Sequence, residues 1–164
     1  MYTPVNKPPL SITHPNLVKE WDYNKNNALG IYPDQITHGS HKKVWWICEH
    51  GHEWQATVND RTNMKSGCPV CAGKTVVIGF NDLTTVNPEL ALEWHPTKNG
   101  DLKPSDVTIS SGRKVWWICQ YGHEWYASVA SRTNMQSGCP VCTGQKVLAG
   151  FNDLATLNPQ IASE

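Results

Sequence analysis

Six cysteines and two recurring histidines hold the chemistry this 164-residue chain can do. Cys48, His52, Cys68 and Cys71 follow one another as C-x3-H-x15-C-x2-C, and Cys119, His123, Cys139 and Cys142 repeat that spacing without change. Two close donor pairs about fifteen residues apart are what two ligand-bearing turns need to meet around one tetrahedral ion, and a Cys3His set favours Zn²⁺. Gly51, Gly67 and Gly73 stand next to the first set, where they let backbone amides turn toward thiolate sulfurs. His50 lies inside the first C-x3-H segment, but its counterpart is Tyr121, which cannot serve zinc in the same way, so His52 and His123 are the candidate ligands. His14, His38, His41 and His95 have no histidine counterpart and read as solvent or loop residues.

Three other chemistries compete for these residues. Disulfide bonding meets an odd count, three cysteines in each set, so one bridge would have to join the two sets. Cys68 and Cys71 enclose only two residues, which suits metal or redox chemistry better than a structural bridge. A thiol oxidoreductase built on Cys-Pro-Val-Cys leaves the first cysteine and the histidine unexplained, twice. A catalytic zinc needs an open coordination position, and four protein donors close the shell. The reading is therefore two structural Zn²⁺ ions per chain, supplying folding free energy, with no catalytic residue and no small-molecule substrate.

The elements that must position these donors are themselves duplicated. Sliding the sequence by 71 residues aligns 42–86 with 113–157, and 30 of those 45 positions are identical. A second phrase, Asn87-Pro88-Glu89-Leu90-Ala91-Leu92-Glu93-Trp94, answers to His14-Pro15-Asn16-Leu17-Val18-Lys19-Glu20-Trp21 at an offset of 73, and the two-residue difference falls between Lys25 and Pro33. The phrase starts a third time at Asn158-Pro159-Gln160, as expected for part of a longer array. Asn87, Pro88 and Glu89 read as an N-cap, a first-turn proline and a first-turn acid, with Leu90 and Trp94 sharing one face. So short a helix must dock on something to persist. Val44–Cys48 and Glu53–Val58 read as the two strands of a hairpin turning at Gly51. Neither unit has an apolar run long enough for a conventional core, the situation in which small domains use a metal as a staple.

Composition narrows the class. The chain is 39% hydrophobic and 17% charged with 8 Trp, 11 Pro and 12 Gly, too aromatic for a disordered tail and too rich in Pro and Gly for a helical bundle. It has no run of the roughly 18 apolar residues that a membrane span needs. The opening MYTPVNKPPL lacks the marks of a signal peptide. A soluble, cytoplasmic protein with no membrane partner is expected. Net charge is zero, yet residues 42–75 carry five Lys/Arg against three Asp/Glu, and 113–146 carry four against one. Basic charge is thus gathered where the cysteines are. Three thiolates and one Zn²⁺ total −1 per site, so the loaded patch is modest.

The frame W-W-x-C-x-x-G-H-E-W, then R, then G-C-P-x-C-x-G, then G-x-N-D-L and N-P-x-L-A-x-E-W resembles the tandem probable zinc-ribbon or treble-clef zinc finger family of bacterial and viral proteins. The likeness runs from Leu10 onward. It departs at His14, where the other copies have Asn, and at Asp22, where His95 follows Trp94. It implies a zinc-stapled repeat, often arrayed, sometimes joined to endonuclease-like domains and taken to bind nucleic acid.

Adjacent strand residues face opposite ways, so Trp45 and Trp46, like Trp116 and Trp117, cannot share one core. One of each pair packs on the metal turn. The other receives the short helix or stays exposed as a platform for bases, the rival role being that all of these tryptophans pack the small cores. Lys43, Arg61, Lys114 and Arg132 recur in place and are the candidate phosphate contacts. For the two arginines the rival role is stacking on a Trp face or donating to loop carbonyls within Arg-Thr-Asn-Met.

The expected architecture is a small metal-bound α+β fold of two tandem zinc-ribbon or treble-clef-like modules, with short β-hairpins joined by short helices. Its expected parts are an N-terminal arm (1–13), zinc repeat 1 (14–82), zinc repeat 2 (83–153) and the start of a truncated third repeat (154–164). Cys68-Pro69-Val70-Cys71 could sit on a hairpin turn or on the first turn of a helix. The expected function is a non-enzymatic zinc repeat that binds DNA or another nucleic acid, as the targeting portion of a viral, mobile-element or nuclease-associated protein. The alternative is a protein-protein interaction array.

Overall fold

A computed structural model describes residues 7–163. The chain divides into two compact units, residues 1–72 and 73–164. Among the described residues no helix is long and apolar enough to cross a membrane.

In the first unit α1 (Leu10–Thr13), α2 (Pro15–Val18) and α3 (Tyr23–Ala28) precede a hairpin of β1 (Lys43–Ile47) and β2 (Glu53–Thr57), followed at once by α4 (Val58–Thr62). In the second, α5 (Leu83–Val86) and α6 (Pro88–Leu92) precede β3 (Lys114–Ile118), β4 (Glu124–Ser128) and α7 (Val129–Thr133), and α8 (Leu154–Leu157) opens the last phrase. Both hairpins are antiparallel and in the same register, with Trp46 opposite Trp54 and Trp117 opposite Trp125.

The short helices are set by caps. Asn87 accepts the Leu90 N–H at 3.0 Å, and Pro88 occupies the first turn. At the end of β2 the Thr57 hydroxyl accepts the Asp60 N–H at 3.0 Å, and at the end of β4 Ser128 accepts from Ser131 at 3.2 Å. That hydroxyl converts strand into helix within one residue. Val58 therefore opens α4 rather than closing β2, and α4 and α7 are elements that the alternating pattern of 53–58 conceals.

The helix phrase docks as expected. Trp21 and Leu10 are buried, and Leu90 and Trp94 are buried in the second unit. Trp21 meets Trp46 edge-on at 5.3 Å between ring centroids, and Trp94 meets Trp117 at 5.5 Å, the geometry that aromatic pairs prefer. The chain around each also adds to the hairpin edge: Ile47 N–H donates to Glu20 O at 2.8 Å and Asp22 N–H to Trp45 O at 3.2 Å, with Ile118–Glu93 and His95–Trp116 doing the same.

Two expected boundaries move. Residues 10–13 are not an arm: Leu10 is fully buried in the core beneath the hairpin, against which Leu17 and Val18 of α2 are only partly buried, and its N–H donates to Ile36 O at 2.7 Å. The first six residues of that segment lie outside the described residues. Residues 73–82 belong with the second unit instead of closing the first. Leu83 repeats the role of Leu10 by donating to Val107 O at 2.8 Å, and the Thr108 hydroxyl donates to Gly73 O at 2.9 Å. The Gly-Phe-Asn-Asp-Leu phrase is thus a lead-in. Asp82 is buried and accepts from Gly79 N–H, Thr85 N–H and the Thr85 hydroxyl, which caps α5.

Candidate metal centre

Cys48 follows β1 and His52 precedes β2, so the first donor pair stands at the hairpin tip. The tip closes by Cys48 N–H donating to His52 O at 3.1 Å and Gly51 N–H to Cys48 O at 2.9 Å. Gly51 takes φ 78°, a left-handed conformation that lets the chain reverse over three residues. The second pair rides on one isolated helical turn, closed by Ala72 N–H donating to Cys68 O at 2.9 Å and, in the second unit, by Thr143 N–H to Cys139 O at 3.0 Å. Cys-Pro-Val-Cys lies on neither a hairpin turn nor the first turn of a helix, since no helix continues the isolated turn; the proline sits where a free N–H would otherwise have no partner.

The two pairs meet. In each unit the four donor atoms lie within 4.8 Å of one another, and these are Cys48, His52, Cys68 and Cys71, then Cys119, His123, Cys139 and Cys142. A tetrahedral Zn²⁺ at about 2.3 Å from sulfur and about 2.0 Å from nitrogen sets S···S edges of about 3.8 Å and S···N edges of about 3.5 Å. Cys48 Sγ is 3.8 Å from Cys71 Sγ, and His52 Nδ1 is 3.4, 3.8 and 3.4 Å from Cys48, Cys68 and Cys71. The second cluster gives 3.8 Å for Cys119–Cys142, and 3.5, 3.7 and 3.3 Å from His123 Nδ1 to Cys119, Cys139 and Cys142. No disulfide forms among the six thiols, whose separations are far from the roughly 2.05 Å of an S–S bond.

The thiols are unequal. At Cys48 burial pushes the thiol up, but the N–H groups of His52 and His50 and the Cys71 and Cys68 thiols donate to its sulfur, and the net direction is down. Cys119 is lowered in the same way, with Tyr121 and His123 as the backbone donors. Cys71 is pushed up to about 12 by loss of water around its sulfur, by its hydrogen bonds to Cys68 and Cys48, and by their negative charge; Cys142 likewise reaches about 12. A pocket that favours the first thiolate and opposes the last fits a divalent cation, whose charge reverses that opposition. Each unit is a structural zinc site.

Behind the donors lies a shell that spacing did not reveal. Asn26 is fully buried and its amide pairs with the edge of β1 twice, donating to Trp45 O at 2.8 Å and accepting the Trp45 N–H at 2.9 Å. Asn99 does the same to Trp116 at 3.0 and 2.8 Å. The recurrence of Lys-Asn at 25–26 and 98–99, at the same offset as the helix phrase, is the signal that could have found them. Phe151 packs edge-on against the His123 ring at 4.4 Å.

The basic candidates separate. Lys43 and Lys114 are exposed at the first residue of β1 and β3. Arg61 and Arg132 are corrected: both are buried, and they cannot reach a phosphate without leaving the core. The Arg61 guanidinium donates to the Glu20 carboxylate and to Ser66 O, and lies over Trp46 and Trp54 at 5.0 and 5.2 Å. Arg132 donates to Glu93 and to Ser137 O at 2.9 Å, over Trp117 and Trp125 at 5.1 and 4.9 Å. Burial pushes each guanidinium down, countered chiefly by its glutamate and then by the nearby cysteine thiolates. Each guanidinium stacks on Trp rings, and the carbonyl it donates to, Ser66 O or Ser137 O, lies beyond the Arg-Thr-Asn-Met stretch where donation was expected.

His95 is also corrected. It is buried, its Nδ1 accepts the Lys98 N–H at 3.1 Å and the Thr97 N–H at 3.3 Å, and its Nε2 lies 2.8 Å from a Glu124 oxygen. In the first unit Asp22 occupies this place and accepts the Lys25 N–H at 3.0 Å, so imidazole and carboxylate perform the same capping. The outward members of the Trp pairs, Trp45 and Trp116, are half-buried, with Lys25 and Lys98 over their rings at 4.2 and 4.8 Å.

No curated protein matches the chain. The family model described as a probable treble clef zinc finger domain matches residues 17–74 and again 90–145, each stretch holding one knuckle, its hairpin and the cysteine turn. A knuckle at a hairpin tip facing two cysteines on a helical turn, present twice and matched twice, means that this chain belongs to the probable treble clef zinc finger family.

Proposed function

We propose that the chain is a non-enzymatic zinc-stapled module that binds nucleic acid through the mouths of its two hairpins. The reading rests on one observation: Lys42 and Lys43, and again Arg113 and Lys114, are exposed basic pairs beside the half-buried outward tryptophans Trp45 and Trp116. Cations at a fixed spacing beside ring faces are what a phosphate backbone with adjoining bases requires. The four-donor shell supports the non-enzymatic part, since it leaves no coordination position for water.

The test is salt dependence. At about 50 mM salt the zinc-loaded protein retards a labelled DNA, and log K falls linearly with log salt. Lys43→Ala and Lys114→Ala each flatten that slope by about 0.7–0.9 while leaving zinc content unchanged. Absence of retardation at low salt defeats the proposal.

A further inference from the structure

The two outward hairpin faces differ at two positions, Thr57 against Ser128 at the mouth and Gln55 against Tyr126 at the centre. On the first, Gln55 stands across from Trp45; on the second, Tyr126 stands across from Trp116. Tyr126 is 56% exposed, and its ring lies 5.5 Å from that of Trp116 at an interplanar angle of 47°. The pair borders a cleft of about 460 Å³ that Lys98, Leu102 and Lys114 also line. Lys98 lies over one face of Trp116 at 4.8 Å and is paired with the Glu124 carboxylate, so Lys114 and its exposed neighbour Arg113 supply the remaining positive charge of this face.

Resting on the nucleic-acid reading above, we propose that the Trp116–Tyr126 cleft of the second unit is a stacking site for an unpaired base of single-stranded nucleic acid. The chemistry of the cleft selects that ligand. Flat π faces match a base, and a cation at the first residue of the same strand matches the phosphate attached to it. Bases within a duplex present only their edges in the grooves, so a ring-lined cleft gains nothing from a paired stretch. The first unit, with Gln55 in place of the tyrosine, keeps the cation and loses half of the platform. The two units then divide the work: both hold phosphate, and the second also stacks.

The experiment uses the full zinc-loaded chain with a fluorescent oligo-dT and a duplex of matched length. Tyr126→Gln writes the first unit's own residue into the second, so the fold has a precedent for it, and zinc content and melting temperature are measured alongside. Expected are tighter binding of the single strand than of the duplex, a roughly tenfold loss for the single strand in Tyr126→Gln, and an unchanged salt slope. Tyr126→Trp keeps the single-strand affinity, which a merely structural tyrosine would not require. Equal affinity of Tyr126→Gln and the parent for oligo-dT, or a preference for duplex, overturns the stacking site while salt-dependent binding survives. Absence of binding to either oligonucleotide overturns the underlying nucleic-acid reading, and the stacking site with it.

Discussion

Arg61 donates its guanidinium to the Glu20 carboxylate across 41 residues of chain, in a slot walled by Trp46 and Trp54. Arg132 and Glu93 repeat the relationship across 39 residues. Because Arg61 also donates to Ser66 O, two residues before Cys68, one side chain ties the helix phrase, both strands and the cysteine turn together. The guanidinium also lies close enough to Cys68 to feel its thiolate, so it offsets part of the −1 charge of a loaded Cys3His site.

Arg61→Met leaves Glu20 without its partner in the first unit. Breaking a buried pair costs about 3–5 kcal/mol, and since the Glu20 side chain is 38% exposed the loss falls nearer about 2 kcal/mol. Arg61→Lys does not rescue it, because a single ammonium cannot serve the carboxylate and Ser66 O in the fork geometry of a guanidinium. Thermal melting of zinc-loaded protein checks both.

Elemental analysis of the parent gives two zinc ions per chain, one for each four-donor cluster. Cys68→Ser lowers the count to one and unfolds the first unit, since structural zinc contributes on the order of 10 kcal/mol to so small a core. Cobalt substitution, read by its thiolate charge-transfer absorbance, keeps the second cluster intact in that variant. Retention of both ions would defeat the assignment.

Asp82 provides a test by pH. Burial works against its carboxylate, but the Thr85 hydroxyl, Gly79 N–H and Thr85 N–H overcome that and hold it below its ordinary value of 3.8. A depressed folded-state value stabilises fully above 3.8 and is lost only as pH falls through the lower value. Asp82→Ala is therefore expected to cost about 1–2 kcal/mol at pH 7 in denaturant titration. The pH at which zinc leaves stays unchanged.

His95→Ala removes the acceptor for two backbone N–H groups and the bond to Glu124 together, at about 1–2 kcal/mol. His95→Asp copies Asp22 of the first unit and restores the cap without the Glu124 bond, so it recovers about half of that loss. Equal melting temperatures for the two variants would show that the cap contributes nothing.

The donor clusters could be read from the sequence because the evidence for them is spacing: a C-x3-H at a hairpin tip and a C-x2-C on one turn are local patterns, and their duplication singled out His52 over His50. The hairpins and the Asn87 cap were readable for the same reason. Local pattern failed at 58–62, where a Thr57 hydroxyl cap ends the strand one residue earlier than the apolar alternation suggests. It failed again at the unit boundary, where Leu83 pairs with Val107, 24 positions later, so residues 73–82 joined the unit that follows.

From the sequence alone followed which atoms can hold zinc, because a metal shell depends on donor type and on short loops whose reach is set by covalent geometry. Only the tertiary structure decided which cations face water. Lys43 and Arg61 carry the same sign in the same basic segment, yet Arg61 is drawn into the core by a carboxylate and two indole rings contributed by distant elements. That choice is an energy of packing and desolvation among residues far apart in the chain, and no neighbouring residue encodes it.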